Sequence, residues 1–388
     1  MADVKKHTVA DIKTLLADRG LDGPGKDIWT KRLGEITEDE VKWALSRQPG
    51  YYVLDRLLIL ISPAAENYIE QMAQIAHQLT LQRFGKTVRL YAPLYVSNFC
   101  VNGCIYCGFS TNHRFSRIRL TVKQALAEAE TIAKEGFRDL LLVSSEDKKF
   151  ITVDYLAELA SKLRPKFSSL SVEIYQMSTE EYAKLFAAGI EGVTLYQETY
   201  DRETYRKYHP AGPKADYDYR LSAADSFGQA GMREIGLGAL LGLDDWRLET
   251  LALAEHAHYL MKRYWKSRVS FSFPRLRPAK DVDSAQFNLL SDKNLVQMIL
   301  ALRLCFADAG MTISTREPAH LRDQFVKLGI TRMSAGSKTN PGGYSTHADS
   351  VGQFDIDDSR SPAQIAAMLK SQGLEPVWKD WDSAFTET

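Results

Sequence analysis

The sequence predicts an α/β protein, a (β/α)8 barrel with an N-terminal helical extension and a C-terminal helical tail. Three observations support this prediction. Eight short apolar runs follow residue 85, each is followed by a segment of helical periodicity, and residues 1–85 contain helical patterns but no strand signal. Strands that alternate with helices favour a parallel sheet, and eight such units favour a closed barrel over the alternative, an open parallel sheet.

The elements follow in order along the chain. Thr37 and the acidic residues after it predict a helix start, and Gly85 ends an amphipathic segment that begins at Pro63. The predicted strands are Val88–Val96, Asp139–Ser144, Leu170–Tyr175, Gly192–Tyr196, Glu234–Leu241, Val269–Phe273, Met311–Thr315 and Thr331–Ala335. The predicted barrel and tail helices are Thr121–Glu135, Val153–Leu163, Thr179–Ala188, Ala223–Ala230, Trp246–Trp265, Asp292–Ala309, Ala319–Leu328 and Ser361–Gln372. We expect a helical extension over residues 1–85, the barrel over 86–345 and a segment that closes the barrel over 346–388.

Composition limits the possible functions. The chain has 388 residues, with 49 Lys plus Arg and 49 Asp plus Glu, so it lacks the basic excess typical of nucleic-acid binding. No apolar run reaches the roughly 18 residues that cross a bilayer. The charged start, Met1–His7, does not resemble a secretory signal. We therefore expect a cytoplasmic protein that binds neither nucleic acid nor membrane.

Three of the four cysteines, Cys100, Cys104 and Cys107, lie together after the first predicted strand, whereas Cys305 lies in an apolar segment and is expected to be a core residue. An odd cluster in a reducing compartment argues against disulfides. Thiolates commonly ligate iron–sulfur clusters, and three of them leave one iron of a four-iron cluster open to a small molecule. A structural zinc site is the alternative, but it needs a fourth ligand, and His113 is the only histidine nearby.

The C-x3-C-x2-C spacing, with aromatic Tyr106 before the third cysteine, resembles the signature of the radical S-adenosylmethionine (SAM) superfamily. This resemblance implies that Cys100, Cys104 and Cys107 ligate one [4Fe-4S] cluster. It also implies that SAM chelates the open iron through its amino and carboxylate groups and yields a 5′-deoxyadenosyl radical. A radical of this kind needs an enclosed, dry cavity, which a barrel interior can provide.

Polar residues after the second and third strands are candidate SAM ligands. Ser145 and Glu146 stand where the superfamily has a Gly-Gly-Glu type element, although this chain lacks the glycines. The alternative for Glu146 is a helix cap in a polar loop. Glu173 is a carboxylate within an apolar strand, so it needs a partner. A SAM ammonium or ribose hydroxyl would be one, and a neighbouring arginine is the alternative.

Further SAM contacts are predicted after the fourth and fifth strands. Tyr106, next to the third cysteine, is also expected to contact SAM. Glu198 lies in a polar group at a strand end, and Arg220 could bind the SAM carboxylate in a bidentate manner, with an ordinary surface ion pair as the alternative. The fifth strand contains several glycines, which often mark the close approach of another group. An adenine ring packed against Leu240 would fit, and helix packing is the alternative.

The late strands are expected to bind the substrate. Arg316, together with Ser334 or Ser337, would form a carboxylate receptor, because guanidinium and hydroxyl groups both donate to carboxylate oxygens. Tyr91 or Tyr95 is expected near the substrate amino group. These residues favour an amino-acid substrate, with a generic anion or phosphate site as the alternative.

From about Leu58 to Asp382 the chain resembles the aromatic amino-acid lyases of the radical SAM superfamily, and within them the tyrosine lyases of thiamine biosynthesis. The matching segments are Tyr91–Asn98, Gln197–Tyr200, Pro341–Tyr344 and Trp378–Asp382, together with the late arginines. The related hydrogenase-maturation lyases hold a second cluster through cysteines in a C-terminal tail. Because no cysteine follows Cys305, a single cluster is expected here.

The resemblance implies cleavage of the Cα–Cβ bond of L-tyrosine into dehydroglycine (2-iminoacetate) and p-cresol, with release of 5′-deoxyadenosine and methionine. Thiazole synthase, which consumes dehydroglycine, is an implied partner, as is an electron donor such as flavodoxin or ferredoxin. A tryptophan lyase of the same family is one alternative function. A non-catalytic iron–sulfur carrier or scaffold is the alternative from a different class.

Overall fold

The computed structural model describes residues 11–379 and contains a closed barrel of eight parallel strands. Its strands are β1 (Thr87–Ser97), β2 (Asp139–Ser144), β3 (Ser169–Glu173), β4 (Gly192–Thr194), β5 (Glu234–Gly238), β6 (Arg268–Ser272), β7 (Gly310–Ile313) and β8 (Arg332–Ser334). Each strand pairs with the next, and β1 closes the barrel by pairing with both β8 and β2. The predicted barrel is therefore confirmed.

Helices surround this barrel and precede it. The N-terminal extension contains α1 (Ile12–Arg19), α2 (Lys26–Glu35), α3 (Glu38–Ser46), α4 (Leu54–Leu60) and α5 (Ile69–Phe84). The later helices are α6 (Val122–Lys134), α7 (Val153–Leu163), α8 (Thr179–Ala187), α9 (Arg202–Tyr208), α10 (Tyr217–Gln229), α11 (Trp246–Arg263), α12 (Asp292–Cys305), α13 (Ala319–Phe325) and α14 (Pro362–Ser371). In the part of the chain that the structure describes, no helix combines the length and apolar character needed to cross a membrane.

The N-terminal extension packs on the outside of the barrel. Helix α3 begins at the predicted place, where Thr37 and Glu40 form a reciprocal capping box. Helices α4 and α5 then pack against α12, and α4 also contacts α11. One continuous apolar core includes Leu57 of the extension, Leu142 of the barrel and Ile365 of α14. The extension, barrel and tail therefore share a single core.

Two helical predictions were incomplete. Helix α10 begins at Tyr217 rather than at Ala223, because the Asp216 side chain accepts a hydrogen bond from the Tyr219 backbone N–H and caps it. Helix α9 was missed, although Asp201 caps it in the same way. Both segments are rich in tyrosine and charged residues, so their buried faces did not produce an apolar pattern.

The C-terminal tail contains an element that the sequence did not predict. A ninth strand, β9 (Glu375–Val377), pairs in parallel with the start of β1 outside the closed barrel. Trp378 follows it and packs edge-on against Phe137, with ring centroids 5.2 Å apart. The rest of the Trp378–Asp382 segment used in the family comparison, residues 380–382, lies outside the described residues.

Charged side chains fill the N-terminal end of the barrel. Arg89 of β1 lies 2.8 Å from Asp139 of β2 and 3.4 Å from Glu234 of β5, and Arg332 of β8 lies 2.7 Å from Asp139. Arg268 of β6 lies 2.7 Å from Glu234. Strands β1 and β5 are on opposite sides of the barrel, so these ion pairs span its interior. They close this end and leave the C-terminal end for a site.

Candidate active site

Two adjoining cavities lie at the C-terminal ends of the strands. The outer cavity is lined by the three clustered cysteines and by residues at and after the ends of β2 to β7. The inner cavity is lined mainly by β1 and by residues at and after the ends of β6 to β8, including Tyr91, Tyr95, Ser334 and Ser337. Glu173, Arg316 and other residues line both cavities, so the two share a wall.

The cysteine loop is held in shape by its own backbone contacts and by one arginine. Strand β1 ends in a register shift between Tyr95 and Ser97, typical of a bulge that redirects the chain. The Arg117 guanidinium then donates to four backbone carbonyls of the loop, those of Asn98, Phe109, Ser110 and His113. Nothing in the sequence indicated this role of Arg117, because a single arginine in a loop has no distinguishing pattern.

The three thiols fit a cluster that contains several irons. Cys100, Cys104 and Cys107 are unpaired and line one cavity, and Cys104 is only 5% exposed. Burial raises the pKa of the Cys104 thiol to about 12 and that of Cys107 to about 11, so metal binding would be needed to deprotonate them at neutral pH. Across residues 11–379, no three His, Cys, Asp or Glu side chains converge as ligands of one ion. A cluster whose cysteines bind different irons suits this arrangement better than one tetrahedral zinc ion.

Ser145 and Glu146 line the outer cavity, and both also support the cysteine loop. The Ser145 hydroxyl donates to the Phe99 backbone carbonyl. The Glu146 carboxylate accepts a hydrogen bond of 3.1 Å from Asn102, a loop residue between Cys100 and Cys104. Glu146 lies 3.6 Å from Lys148 as well. Ser145 and Glu146 therefore both have partners within the protein, and their contact with SAM stays a prediction.

Glu198 and Arg220, which were predicted to contact SAM separately, are near each other. The Arg220 guanidinium lies 3.7 Å from the Glu198 carboxylate and donates to the Tyr196 carbonyl at 2.9 Å. Lys214, which no sequence pattern indicated, forms a closer ion pair with Glu198. Burial alone would raise the pKa of Glu198, but Lys214 and Arg220 outweigh it and hold this pKa below its ordinary value. Glu198 is thus an ionised carboxylate that both cations already compensate.

Glu173 differs from Glu198 because its carboxylate lacks a close partner. No hydrogen bond reaches it from the described part of the chain, and no cation there lies within ion-pair distance. Burial raises its pKa to about 7, against a weaker opposing effect of Arg316. Because Glu173 lines both cavities, a cationic group bound in either one could pair with it.

Tyr106 and Leu240 form an apolar wall of the outer cavity. The Tyr106 hydroxyl lies 2.8 Å from His209 Nε2, and His209 Nδ1 lies 2.8 Å from the Tyr205 carbonyl. Burial lowers the His209 pKa to about 3, so the ring is neutral. Nδ1 therefore donates to the carbonyl, and Nε2 accepts from the tyrosine. Leu240 packs in the same apolar group as Tyr106 and Leu276.

The glycines of β5 make room for protein side chains. A Cβ atom at Gly236 would lie 2.3 Å from Thr194 Oγ1, and one at Gly238 would lie 2.7 Å from the Tyr196 ring. The groups that approach these two glycines are side chains of the neighbouring β4 segment. The close approach that glycines in this strand predict is therefore confirmed at Gly236 and Gly238, and the packing of an adenine ring against Leu240 stays a prediction.

The inner cavity brings together the five predicted substrate residues. Tyr91 and Tyr95 are buried in its wall, and the Ser334 hydroxyl accepts a hydrogen bond of 3.1 Å from the Thr315 backbone. The Ser337 hydroxyl is buried and has no hydrogen-bond partner among the described residues. Arg316 lies between the two cavities. Of the two serines, Ser337 has the free hydroxyl.

Two lining residues, Gln353 and Phe354, come from the tail segment and were missed. The Tyr95 hydroxyl donates to Gln353 Oε1 at 2.8 Å, and Phe354 lines both cavities. The segment lacks a helical or strand pattern, so the sequence indicated only that residues 346–388 close the barrel. Which side chains enter the site depends on how this irregular segment crosses the barrel mouth.

Comparisons with known proteins agree with this geometry. Residues 94–254 match the model of the radical SAM superfamily, and residues 272–375 match the biotin and thiamin synthesis associated domain. The chain is 45% identical to the 2-iminoacetate synthase of Escherichia coli K12 and 46% identical to that of Salmonella typhimurium LT2. Both alignments cover 91% of this chain and 93% of the relative.

A solved structure of similar fold is HydG, a maturase of the [FeFe]-hydrogenase. It superposes with a TM-score of 0.87 at 31% identity, over 95% of this chain and 81% of HydG. A cysteine triad at the mouth of a parallel barrel, within a match to the superfamily model, defines a radical SAM enzyme. The identity and coverage of the relatives then specify the group: the chain belongs to the 2-iminoacetate synthase family of radical SAM lyases.

Proposed function

We propose that this enzyme cleaves the Cα–Cβ bond of L-tyrosine into dehydroglycine and p-cresol, for thiamine thiazole biosynthesis. The observation that carries the proposal is a cavity lined by three cysteines that shares a wall with a second cavity suited to an amino acid. The identity of 45% with a 2-iminoacetate synthase supports the same reaction.

Cys100, Cys104 and Cys107 would hold a [4Fe-4S] cluster, with SAM beside it in the outer cavity. When bound, these groups would supply the radical chemistry that begins the cleavage of tyrosine. The predicted contacts fall into two groups. Glu146 and Glu173 offer carboxylate oxygens to the cavity, and Tyr106 and Leu240 offer an apolar wall. The second group also has structural contacts: Ser145 supports the cysteine loop, and Glu198 pairs with Arg220.

We assign one cluster to the described residues. The remaining cysteine, Cys305, is buried in α12, where burial raises the pKa of its thiol to about 12. It packs within the apolar core, away from the residues that line the two cavities. Cys305 therefore acts as a core residue in this proposal, as the sequence predicts.

The substrate carboxylate would bind Arg316 and the free hydroxyl of Ser337, with Ser334 nearby. Arg316 has in-plane N–H groups that match a carboxylate, and Ser337 has an unpaired donor in the same cavity. Tyr91 and Tyr95 would lie near the amino group and exclude water from the reacting bond. As partners we propose thiazole synthase, which would take up the unstable imine, and an electron donor such as flavodoxin or ferredoxin.

An anaerobic turnover assay with SAM and a chemical reductant tests this function, with tyrosine and tryptophan offered separately. We expect 5′-deoxyadenosine and p-cresol from tyrosine. An indole product from tryptophan, without p-cresol from tyrosine, would overturn the choice of substrate. Absence of 5′-deoxyadenosine from a fully reconstituted enzyme would support the carrier or scaffold alternative instead.

A further inference from the structure

A short part of the tail, residues 352–354, connects the cysteine loop with the substrate cavity. The Gly108 backbone N–H, next to Cys107, donates to the Gln353 carbonyl at 3.2 Å. A Cβ atom at Gly108 would lie only 2.8 Å from that carbonyl oxygen, so the two segments are in close contact. The position of residue 353 is therefore tied to that of the cysteine loop.

The same segment is fixed on its other side. The Gln353 backbone N–H donates to the Thr339 carbonyl at 3.0 Å, and the Thr339 hydroxyl donates to the Phe354 carbonyl at 3.1 Å. The Gln353 side chain accepts from the Tyr95 hydroxyl. Residues 352–354 are thus held between the loop after β1 and the loop after β8, which positions the Phe354 ring.

The Phe354 ring lies against Arg316, with the guanidinium carbon 3.3 Å from the ring centroid. Within residues 11–379, the Arg316 guanidinium forms no ion pair, and its one hydrogen bond is a long one, of 3.4 Å, to the Arg275 carbonyl. Nearby Arg275 and Arg277, in contrast, both pair with the buried carboxylate of Glu317. Of these three arginines, two are thus held by a carboxylate, whereas Arg316 is held by an aromatic ring.

This difference has a chemical consequence. An acidic partner would neutralise a guanidinium and occupy its N–H donors. An aromatic face attracts the cation from above its plane and leaves the in-plane donors free for a bidentate carboxylate. A ring is thus the suitable support for an arginine whose ligand is an incoming carboxylate.

We propose that Phe354 is a positioning residue, which holds Arg316 in the orientation that receives the substrate carboxylate. Because Gly108 holds Gln353, Phe354 also fixes the position of this carboxylate receptor relative to the cysteine loop. The inference rests on the proposed function, because it takes Arg316 as the carboxylate receptor for an amino acid.

The test is anaerobic calorimetry on the reconstituted enzyme with SAM and without reductant, so that ligands bind without turnover. Two ligands are compared: tyrosine, and tyramine, which lacks the carboxylate. Phe354→Leu is expected to bind tyrosine about 2- to 30-fold more weakly, the range that corresponds to a cation–π contact. The affinity of Phe354→Leu for tyramine should equal that of the wild type. Phe354→Tyr keeps an aromatic ring and should bind tyrosine as tightly as the wild type does.

Phe186→Leu is the matched control, since Phe186 also lies under an arginine, Arg233 at 5.9 Å, but lines neither cavity. It should leave both affinities unchanged. Equal weakening of tyrosine and tyramine in Phe354→Leu would indicate general damage to the cavity and would overturn the proposal. Unchanged tyrosine affinity would also overturn it, and p-cresol formation by the wild type would show that the proposed function itself still stands.

Discussion

The two ends of the barrel use charged side chains in different ways. At the N-terminal end, Arg89, Arg268 and Arg332 pair with Asp139 and Glu234, so each charge is compensated by another protein group. At the C-terminal end, the Ser337 hydroxyl has no hydrogen-bond partner among the described residues, Arg316 rests on a ring, and no charge fully offsets the burial of Glu173. Paired charges stabilise the closed end, whereas unpaired polar groups at the open end are available to ligands.

Two glutamates show the difference most clearly. Glu234 begins β5 and Glu173 ends β3, and burial acts to raise the pKa of both. At Glu234, Arg268, Arg89 and Arg332 reverse that effect and hold the pKa far below its ordinary value. At Glu173 the charge of Arg316 is too weak to do so, and the pKa rises to about 7. At neutral pH the glutamate at the closed end is thus ionised, whereas the glutamate at the open end is close to half protonated.

The largest expected effect is at the open end. Cys104→Ala should abolish the iron–sulfur absorption at about 400 nm after anaerobic reconstitution, and with it all p-cresol formation, because one iron loses its ligand. The folded barrel should persist, since Cys104 lies in a loop. Cys305→Ala is the control and should keep the absorption. A complete cluster in Cys104→Ala would disprove the ligand assignment.

A large effect on stability is expected at the closed end. Asp139→Asn removes the charge that pairs with Arg89 and Arg332 and should lower the free energy of unfolding by about 3–5 kcal/mol, measured by urea denaturation. Asp154→Asn breaks an exposed ion pair with Lys184 and should change the unfolding free energy by less than about 1 kcal/mol. Similar losses in the two variants would contradict the stabilising role of the buried ion pairs at the closed end.

Arg316→Ala should weaken tyrosine binding by roughly 10- to 100-fold, the usual range for hydrogen bonds to a charged group, while the cluster still forms. Arg316→Lys keeps the charge but loses the bidentate geometry, so its affinity should fall between those of Arg316→Ala and the wild type. Calorimetry without reductant measures all three proteins. Unchanged affinity in Arg316→Ala would mean that the carboxylate binds elsewhere.

The smallest expected effect concerns the pH dependence of binding at Glu173. A ligand ammonium favours the ionised carboxylate, so binding releases a proton from Glu173 and should tighten as pH rises through about 7. Affinity at pH 6 should be about tenfold lower than at pH 8. Glu173→Gln should remove this dependence for whichever ligand, SAM or tyrosine, contacts Glu173. If both ligands keep the wild-type pH profile in Glu173→Gln, the residue binds no ammonium.

Much of this molecule was predictable because the signals are local. Helix α7, Val153–Leu163, and strand β2, Asp139–Ser144, have the predicted bounds, since apolar periodicity and caps lie within each segment. The cysteine spacing likewise indicated the cluster site before any fold was known. The predicted substrate residues come from β1, the segment after β7 and the residues at and after β8, and they do line one cavity, because barrel closure brings these strand ends together.

The sequence by itself determined the barrel, the order of its eight strands and the three clustered thiols. Only the tertiary structure decided which polar groups have partners within the protein and which remain available to a ligand. Lys214 pairs with Glu198, and Phe354 lies against Arg316, although nothing near either residue in the chain indicates its partner. Such contacts join side chains that are not neighbours in the sequence, and their geometry depends on how each irregular segment crosses the mouth of the closed barrel.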